Sequence, residues 1–530
     1  MWTQFYDITK PGIVTDLQSH ALPVGAWTDG VNIEFEPTRI VRAAAEKSIY
    51  DSDAHDYNLD RPMIWGTNVV DGINSYWICS TDQGELIIID DSGLTKITTG
   101  RALTYNYRWN GGLFSGYLIL NSGSGKPQTW RAVKKNAVAD LPNWPDGLVA
   151  GILKPFGYFL VAAHLEDSSG TYENRIRWSS SAAPGMLPSS WSLTDASVDS
   201  GQFDLNDDSP GGIIDMVELR DWLIVYKRNS IWAMRYVGGG AIFATTQLFE
   251  GQGALSTNCV ASFSYKGGQF HCVLTGDDVI IHDGRSVVKR LENRVAKRMR
   301  QEFNSALWQK AYVVNNAEKY ENWIVYPVQD ESTYFDKAII WNYNEDSVSF
   351  QYLPIWMNWM ASGIVVESGS GDTWNSGGNY DWDTIAKPWI TATETNFRNK
   401  RLLGINSYGM YIVNGDDASY HECFLEKTNI AVVPNRETKQ PMLDFESWKL
   451  LKGVRVQMNN GPVVVTISAR DYIEDFRVRQ KRFVVLSDST KLDVILSGRC
   501  FDIRFEMNEA HRSRWELYSF ELDIEKIGDY

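Results

Sequence analysis

The chain has no apolar run near the roughly 18 residues of a membrane span, and Met1 to Lys10 lacks the basic-plus-apolar layout of a secretion signal. Those absences predict synthesis in the cytosol and no membrane insertion. No Asn-x-Ser/Thr glycan acceptor occurs anywhere. Cysteine is scarce and odd in number: Cys79, Cys259, Cys272, Cys423 and Cys500, with no Cys-x-x-Cys pair. A disulfide framework is therefore not expected, and buried free thiols in a reducing compartment are. A basic surplus is missing as well. With 51 Lys and Arg against 66 Asp and Glu, the net charge is −15. That argues against a surface built to grip DNA, and fits either plain solubility or a wall that DNA slides past.

Motifs with a known mechanism are absent too. The seven His (20, 55, 164, 271, 282, 421 and 511) show no His-Glu-x-x-His or other metal spacing, and neither a Gly-x-Ser-x-Gly elbow nor a Walker loop occurs. His271 and His282 share a predicted blade, which does not make them one site. Gly238-Gly239-Gly240 follows a strand but lacks the dinucleotide spacing and precedes no helix. Asp204, Asn206, Asp208 and Asp215 echo a calcium loop, yet Ser209 and Pro210 stand where its pivotal glycine belongs. Ser80 to Gly84 begins like the Asp-box turn of sialidase propellers, without the Thr-Trp that should follow. No catalytic, cofactor-binding or metal-binding residue is expected.

What is abundant is aromatic. Trp (21) outnumbers Pro (17), and aromatics make up 13% of the chain, a composition suited to β-structure. An aromatic-led apolar strand, a tight polar turn and a second apolar strand recur six times. The anchors are Trp77, Tyr117, Tyr158, Trp222, Phe270 and Trp323, spaced 40, 41, 64, 48 and 53 residues apart. A unit of that length made of short strands marks a propeller blade. The fold class is therefore mainly β, an irregular β-propeller of about six blades. A pair of β-sandwiches without circular closure is the alternative.

The expected organisation has four parts. Residues 1–60 form an N-terminal arm. Residues 61–362 form the propeller, with a short helix near 293–309 read from the stripe Val295, Met299, Phe303 and Leu307. The other face of that helix carries Arg294, Lys297, Arg298 and Arg300, for solvent, phosphate or an acidic partner. Residues 363–389 form a Gly/Ser/Trp-rich loop with Trp374, Trp382 and Trp389, suited to touching sugar, a neighbouring subunit or the body itself. Residues 390–530 form an antiparallel, sandwich-like β-domain. Its last strands alternate, with Phe501, Ile503, Phe505 and Met507 on one face.

Several segments resemble one family. Gly12-Ile13-Val14-Thr15-Asp16 followed by Ala21 to Asn32 resembles the N-terminal signature of tail nozzle proteins of short-tailed (podovirus-type) bacteriophages. These are also called tail tubular or DNA-stabilisation proteins. Leu223 to Gly239, Gly253-Ala254-Leu255-Ser256, the loop near 374–384 and Ser497 to Glu506 are similar to further parts of the same family. The resemblance implies a virion structural protein with no catalytic residues and no cofactor, made in the host cytoplasm. It implies a homo-hexamer at the distal end of the tail, below an adapter ring and the portal, holding fibres or spikes. The lumen would retain genomic DNA and then conduct it during ejection, without sequence-specific binding. Two alternatives come from the carboxylates and the Trp-rich loop: a propeller-type polysaccharide-degrading enzyme, or a glycan-binding adhesin using Trp374 and Trp382.

Overall fold

The computed structural model describes residues 2–51, 62–71, 74–90, 93–98, 109–131, 137–328, 336–354, 357–365, 400–406, 409–435, 440–473, 475, 478, 479–486, 491–508 and 514–528. Among these are seven antiparallel four-stranded sheets, each a blade. Blades 1 to 6 run in chain order, with first strands Met63–Asp71, Asn110–Phe114, Val149–Phe156, Ile213–Leu219, Val260–Tyr265 and Tyr312–Asn316. Blade 7 is assembled from both sides of the sequence. Trp359–Ile364, Lys400–Ile405 and Gly409–Tyr420 supply three strands, and Ala44–Asp51 pairs on as the fourth.

First strands of successive blades pack side by side from blade 2 round to blade 7, and that of blade 7 packs on that of blade 1. Blades 1 and 2 share one apolar core, and Trp109 donates to the Ser80 hydroxyl across them at 2.7 Å. The ring is thus a closed seven-bladed propeller. Closing it with an early strand on the last blade joins the two ends of the circle by backbone hydrogen bonds, with Ala44–Asp51 as the blade's outer strand.

The six sequence anchors fall one to a blade at the second strand of blades 1 to 6, with Tyr158 one residue ahead of its strand Phe159–Asp167. Second strands lie inside each sheet, so they are apolar on both faces and read as aromatic-led runs. The expected count of about six misses the seventh blade for a physical reason. Its second strand opens on Lys400-Arg401 rather than an aromatic, and its fourth comes from the other end of the sequence.

The expected arm at 1–60 is not separate. Trp2–Phe5, Ile33–Phe35 and Ile40–Arg42 join Trp448–Asn460, Leu492–Gly498 and Trp515–Gly528 in one sheet. Asp29–Val31 joins Phe424–Ile430, Val463–Arg470, Arg479–Val485 and Cys500–Met507 in another. These two sheets form the sandwich, so its residues come from both sides of the propeller in sequence. Likewise Lys400–Ile405 and Gly409–Tyr420, expected in the C-terminal domain, are propeller strands. Three-residue strands such as Asp29–Val31 are too short to show a period, which is why the segment reads as an arm.

The sandwich core includes Trp27, Phe501, Ile503, Phe505 and Phe520, with Phe5 stacked on Phe520 at 4.5 Å. Alternation along Trp515–Gly528 changes phase: Leu517 is buried, and so are Phe520, Leu522 and Ile524. The pairing skips Tyr518 between Met458↔Leu517 and Gln457↔Ser519, a bulge that moves both sets of side chains inward.

Candidate functional site

The residues singled out in the sequence go to different places. Asp204 is held bidentately by Arg175 at 2.7 and 2.9 Å, and Asp215 takes Asn258 N–H at 3.0 Å and lies 3.3 Å from Lys154 Nζ. These two carboxylates are engaged by separate partners on different elements. Trp374, Trp382 and Trp389 lie outside the described residues. The helix is shorter than its stripe, Ala296–Glu302, and is followed by a 3-10 turn, Ser305–Lys310. Its basic face finds acids within the chain. Arg294 pairs with Asp346 at 2.9 Å, and Arg298 with Asp29 at 2.6 Å and Glu302 at 2.8 Å. The five cysteines are free and buried, and burial pushes the Cys79 and Cys423 thiols up to about 12, so they are poor nucleophiles.

His271 and His282 do come together, directly opposite in register on neighbouring strands of blade 5, their rings edge-on at 5.5 Å. Tyr226 of blade 4 bridges them, its Oη 2.6 Å from His271 Nδ1 and 2.8 Å from His282 Nε2. The surroundings assign every proton. His271 Nε2 lies 3.0 Å from the Glu218 carbonyl, so it must donate, leaving Nδ1 to accept from Tyr226. His282 Nδ1 accepts the Gly284 N–H at 3.1 Å, so its Nε2 donates to the Tyr226 oxygen. The chain Gly284 → His282 → Tyr226 → His271 → Glu218 is complete with all three side chains neutral. Burial accordingly holds His271 down to about 4 and His282 down to about 3.

A second polar cluster closes the junction between blade 6 and the sandwich. The signature residues Gly12 to Asn32 build it. Gly12 has φ +79 and lies against Val348 in the outer strand Ser347–Tyr352 of blade 6, with Ile13 N–H donating to the Val348 carbonyl at 2.8 Å. A Cβ on Gly12 would lie 2.5 Å from that carbonyl oxygen and 2.6 Å from the Val348 nitrogen. Asp16 accepts the N–H groups of Lys297 and Arg298, capping the helix start. Trp27 donates to the Ile8 carbonyl at 2.7 Å while its ring meets Phe505 and Phe520. Asn32, at φ +56, donates its N–H to Phe350 and its side-chain amide to Glu422, and accepts from Tyr352 N–H.

Charges cross the same junction. Lys319, in the blade 6 turn, reaches both oxygens of Glu34 in the sandwich strand Ile33–Phe35, at 3.0 and 2.8 Å. Asn414 of blade 7 donates to Glu34 at 2.9 Å and exchanges two amide hydrogen bonds with Gln351, at 2.6 and 2.9 Å. Two residues from Lys319, Glu321 is buried with only neutral donors in hydrogen-bond reach: Trp323 Nε1 at 2.9 Å and Asn316 Nδ2 at 3.3 Å. Burial first, with the Glu34 charge adding to it and Lys319 opposing it, raises Glu321 to about 7.

Elsewhere in the sandwich Lys427 is buried, donates to the Ala26 carbonyl and is pushed down to about 7 by desolvation. The adjoining cavity of about 20 Å³ has the size of about one water. Tyr226, Glu34, Lys319 and Glu321 carry no sequence motif. Only the two His standing eleven apart, in strands joined by a tight turn, were open to a register argument.

No family model matches the chain, and neither does any curated protein. Among solved structures the chain is similar to the WD40 β-propeller domain of Doa1, at 9% identity and TM-score 0.38, over 71% of this chain and 98% of that one. It is similar to apo AztD from Citrobacter koseri at 10% identity and TM-score 0.30, over 55% of this chain and 75% of that one. A second Citrobacter koseri AztD structure gives 10% identity, TM-score 0.29, and 55% and 73% coverage. These likenesses are too loose to bear on function, and the propeller itself rests on the seven sheets and their closure.

Proposed function

We propose that the chain is a structural subunit of a phage tail, the nozzle at the distal end of a short tail, and that it turns over no substrate. The observation that carries the reading is where the family-like N-terminal signature lies. Gly12 to Asn32 is the segment that fastens sandwich to propeller, through Gly12–Val348, Asp16 on the helix, and Asn32–Phe350. A nozzle subunit has to keep two β-bodies in fixed relation under load, and a segment shared by such proteins for that purpose would be used in this way. Other family-like segments serve packing too. Gly253 lies against the backbone of Lys227 and Arg228, where a Cβ would approach to 2.0 Å, and Gly498 against the Arg470 carbonyl.

In this reading six copies form a ring, joined above to an adapter and portal and outside to fibres or spikes. The net charge of −15 lets DNA pass with little sticking. The test is electron microscopy of source particles labelled with an antibody against this chain. Label at the tip of a short tail is expected. Label absent from particles, or scattered on fibres, removes the nozzle reading. Incubation of the purified chain with host polysaccharide is expected to leave it intact, and release of new sugar ends would move the assignment to the enzyme.

A further inference from the structure

We propose that Glu321 is a proton-binding site at the propeller–sandwich junction, a neutral carboxylic acid whose proton keeps the sandwich strand Ile33–Phe35 seated on blade 6. The inference does not depend on the tail assignment.

The count of charges carries it. The junction holds two carboxylates, Glu34 and Glu321, and one cation close to both, Lys319. Lys319 spends both of its contacts on Glu34. Glu321 is left with an indole N–H and an amide N–H, neutral donors that favour a carboxylate but bring no charge to balance it, and burial outweighs them. A second negative charge here would be buried beside the first, and such a site holds a proton instead.

An independent observation points the same way. Asn316 pairs with Glu321 across the hairpin, and its side-chain oxygen is buried with no donor. An ionised Glu321 can only accept, which leaves that oxygen orphaned. A protonated Glu321 brings an O–H to its side.

The groups around Glu321 come from every element packed there. Lys319 comes from its own hairpin and Glu34 from the sandwich, whose Glu36 acts on Lys319 and is itself paired with Arg39. Tyr343 and Tyr320 contribute phenols, and Asn414 and Gln351 contribute neutral amides. None is a second cation able to neutralise Glu321 once Lys319 is engaged. Losing the proton therefore sets Glu321 against Glu34 across the joint, in competition for one lysine. The raised position near 7 puts the transition within the range a cell or medium can reach.

The experiment has two readouts on the full chain. Infrared difference spectra between about pH 6 and about pH 8.5 are expected to show carboxylic-acid carbonyl absorption lost on the alkaline side, and in an Asp278→Asn background, which removes the other carboxylic acid raised to about 6, that band should vanish in Glu321→Gln. Hydrogen exchange, corrected for intrinsic rates, is expected to lose protection roughly tenfold at about pH 8.5 in peptides covering 33–35 and 347–352. Glu321→Gln, which copies the protonated state, is expected to keep that protection. Glu34→Gln frees Lys319 for Glu321 and should flatten the pH dependence as well. A variant that merely misfolds loses protection throughout the propeller rather than in those two segments. Wild-type protection that is equal at both pH values, or a carbonyl band that Glu321→Gln leaves unchanged in the Asp278→Asn background, overturns the proposal.

Discussion

The seam between blades 4 and 5 and the junction between blade 6 and the sandwich are both closed by buried polar groups, but they are built in opposite ways. At the seam, two imidazoles and a phenol pass hydrogen bonds in one direction, every donor has an acceptor, and no charge is involved. At the junction, one lysine stands between two carboxyl groups, so the ionisable groups are odd in number, beside a side-chain oxygen with no donor. A complete neutral network fixes one arrangement and resists titration in either direction. An odd-charged network has two states separated by one proton. The first kind suits a seam inside a ring that must stay shut. The second makes its joint responsive.

The largest effect is expected where the junction is backbone on backbone. Gly12→Ala places a Cβ 2.5 Å from the Val348 carbonyl oxygen at φ +79, and nothing there is a flexible side chain that could swing away. We expect a loss of about 4 kcal/mol or more. Exchange or proteolysis should show it first in the sandwich, with the propeller opening later. Simultaneous unfolding of both bodies would show that the seam and the junction are not separately held.

Acid separates the two regions by sign. An imidazole whose folded value lies below its unfolded 6.5 stabilises the fold above that value and loses the contribution as pH falls toward 4 for His271 and 3 for His282. Between about pH 7.5 and about pH 5 the loss is on the order of 2 kcal/mol for each. Glu321 works the other way. Its folded value is raised from 4.5 to about 7, so its contribution is full below 4.5 and fades as pH climbs through 7. The two slopes partly cancel between about pH 4.5 and about pH 6.5. Denaturant titrations across that range should therefore be steeper in Glu321→Gln than in the wild type. Parallel curves would mean that Glu321 binds its proton equally well folded and unfolded.

Tyr226→Phe tests the seam directly. It removes one oxygen and leaves His271 Nδ1 without a donor and His282 Nε2–H without an acceptor, both buried. About 3 kcal/mol of stability should go, read from chemical denaturation at neutral pH. A loss below about 1 kcal/mol would mean that water enters and replaces the hydroxyl.

Legibility in the sequence follows the same division. The propeller was readable because each blade repeats a local pattern, and the buried second strand announces itself by residues such as Trp323 or Trp77. Blade 7 escaped because its fourth strand, Ala44–Asp51, lies more than three hundred residues from the others. The helix was readable from Val295 and Met299, both buried, while Phe303 and Leu307 fall past its end. Neither polar network could be read. Tyr226 meets His271 across 45 residues, and Lys319 meets Glu34 across 285. Such contacts are fixed by the closing of sheets into blades and of blades into a ring, and no local spacing encodes them. The basic face Arg294 to Arg300 shows the limit most plainly. Its charge pattern was visible, but its side-chain partners Asp29 and Asp346 come from distant segments, as does Asp16, which caps the helix through backbone N–H groups.

The smallest effect completes the comparison, because it places the substitution used at Gly12 into the seam. Gly284 also has positive φ, at +84, and its N–H ends the hydrogen-bond chain on His282 Nδ1. Here an added Cβ meets the Leu219 Cδ2 methyl at 3.0 Å and the Trp222 ring at 3.8 Å, side chains rather than backbone. Leu219 can turn a methyl aside, so what remains is chiefly the cost of holding alanine in a left-handed conformation, about 1 kcal/mol. The backbone N–H is retained, so the His–Tyr–His chain should survive and the acid slope should stay as in the wild type. A Gly284→Ala loss equal to that of Gly12→Ala would mean that the seam is as unyielding as the junction. A small loss with an altered acid slope would mean instead that the Gly284 N–H, rather than Tyr226, sets the proton arrangement of the pair.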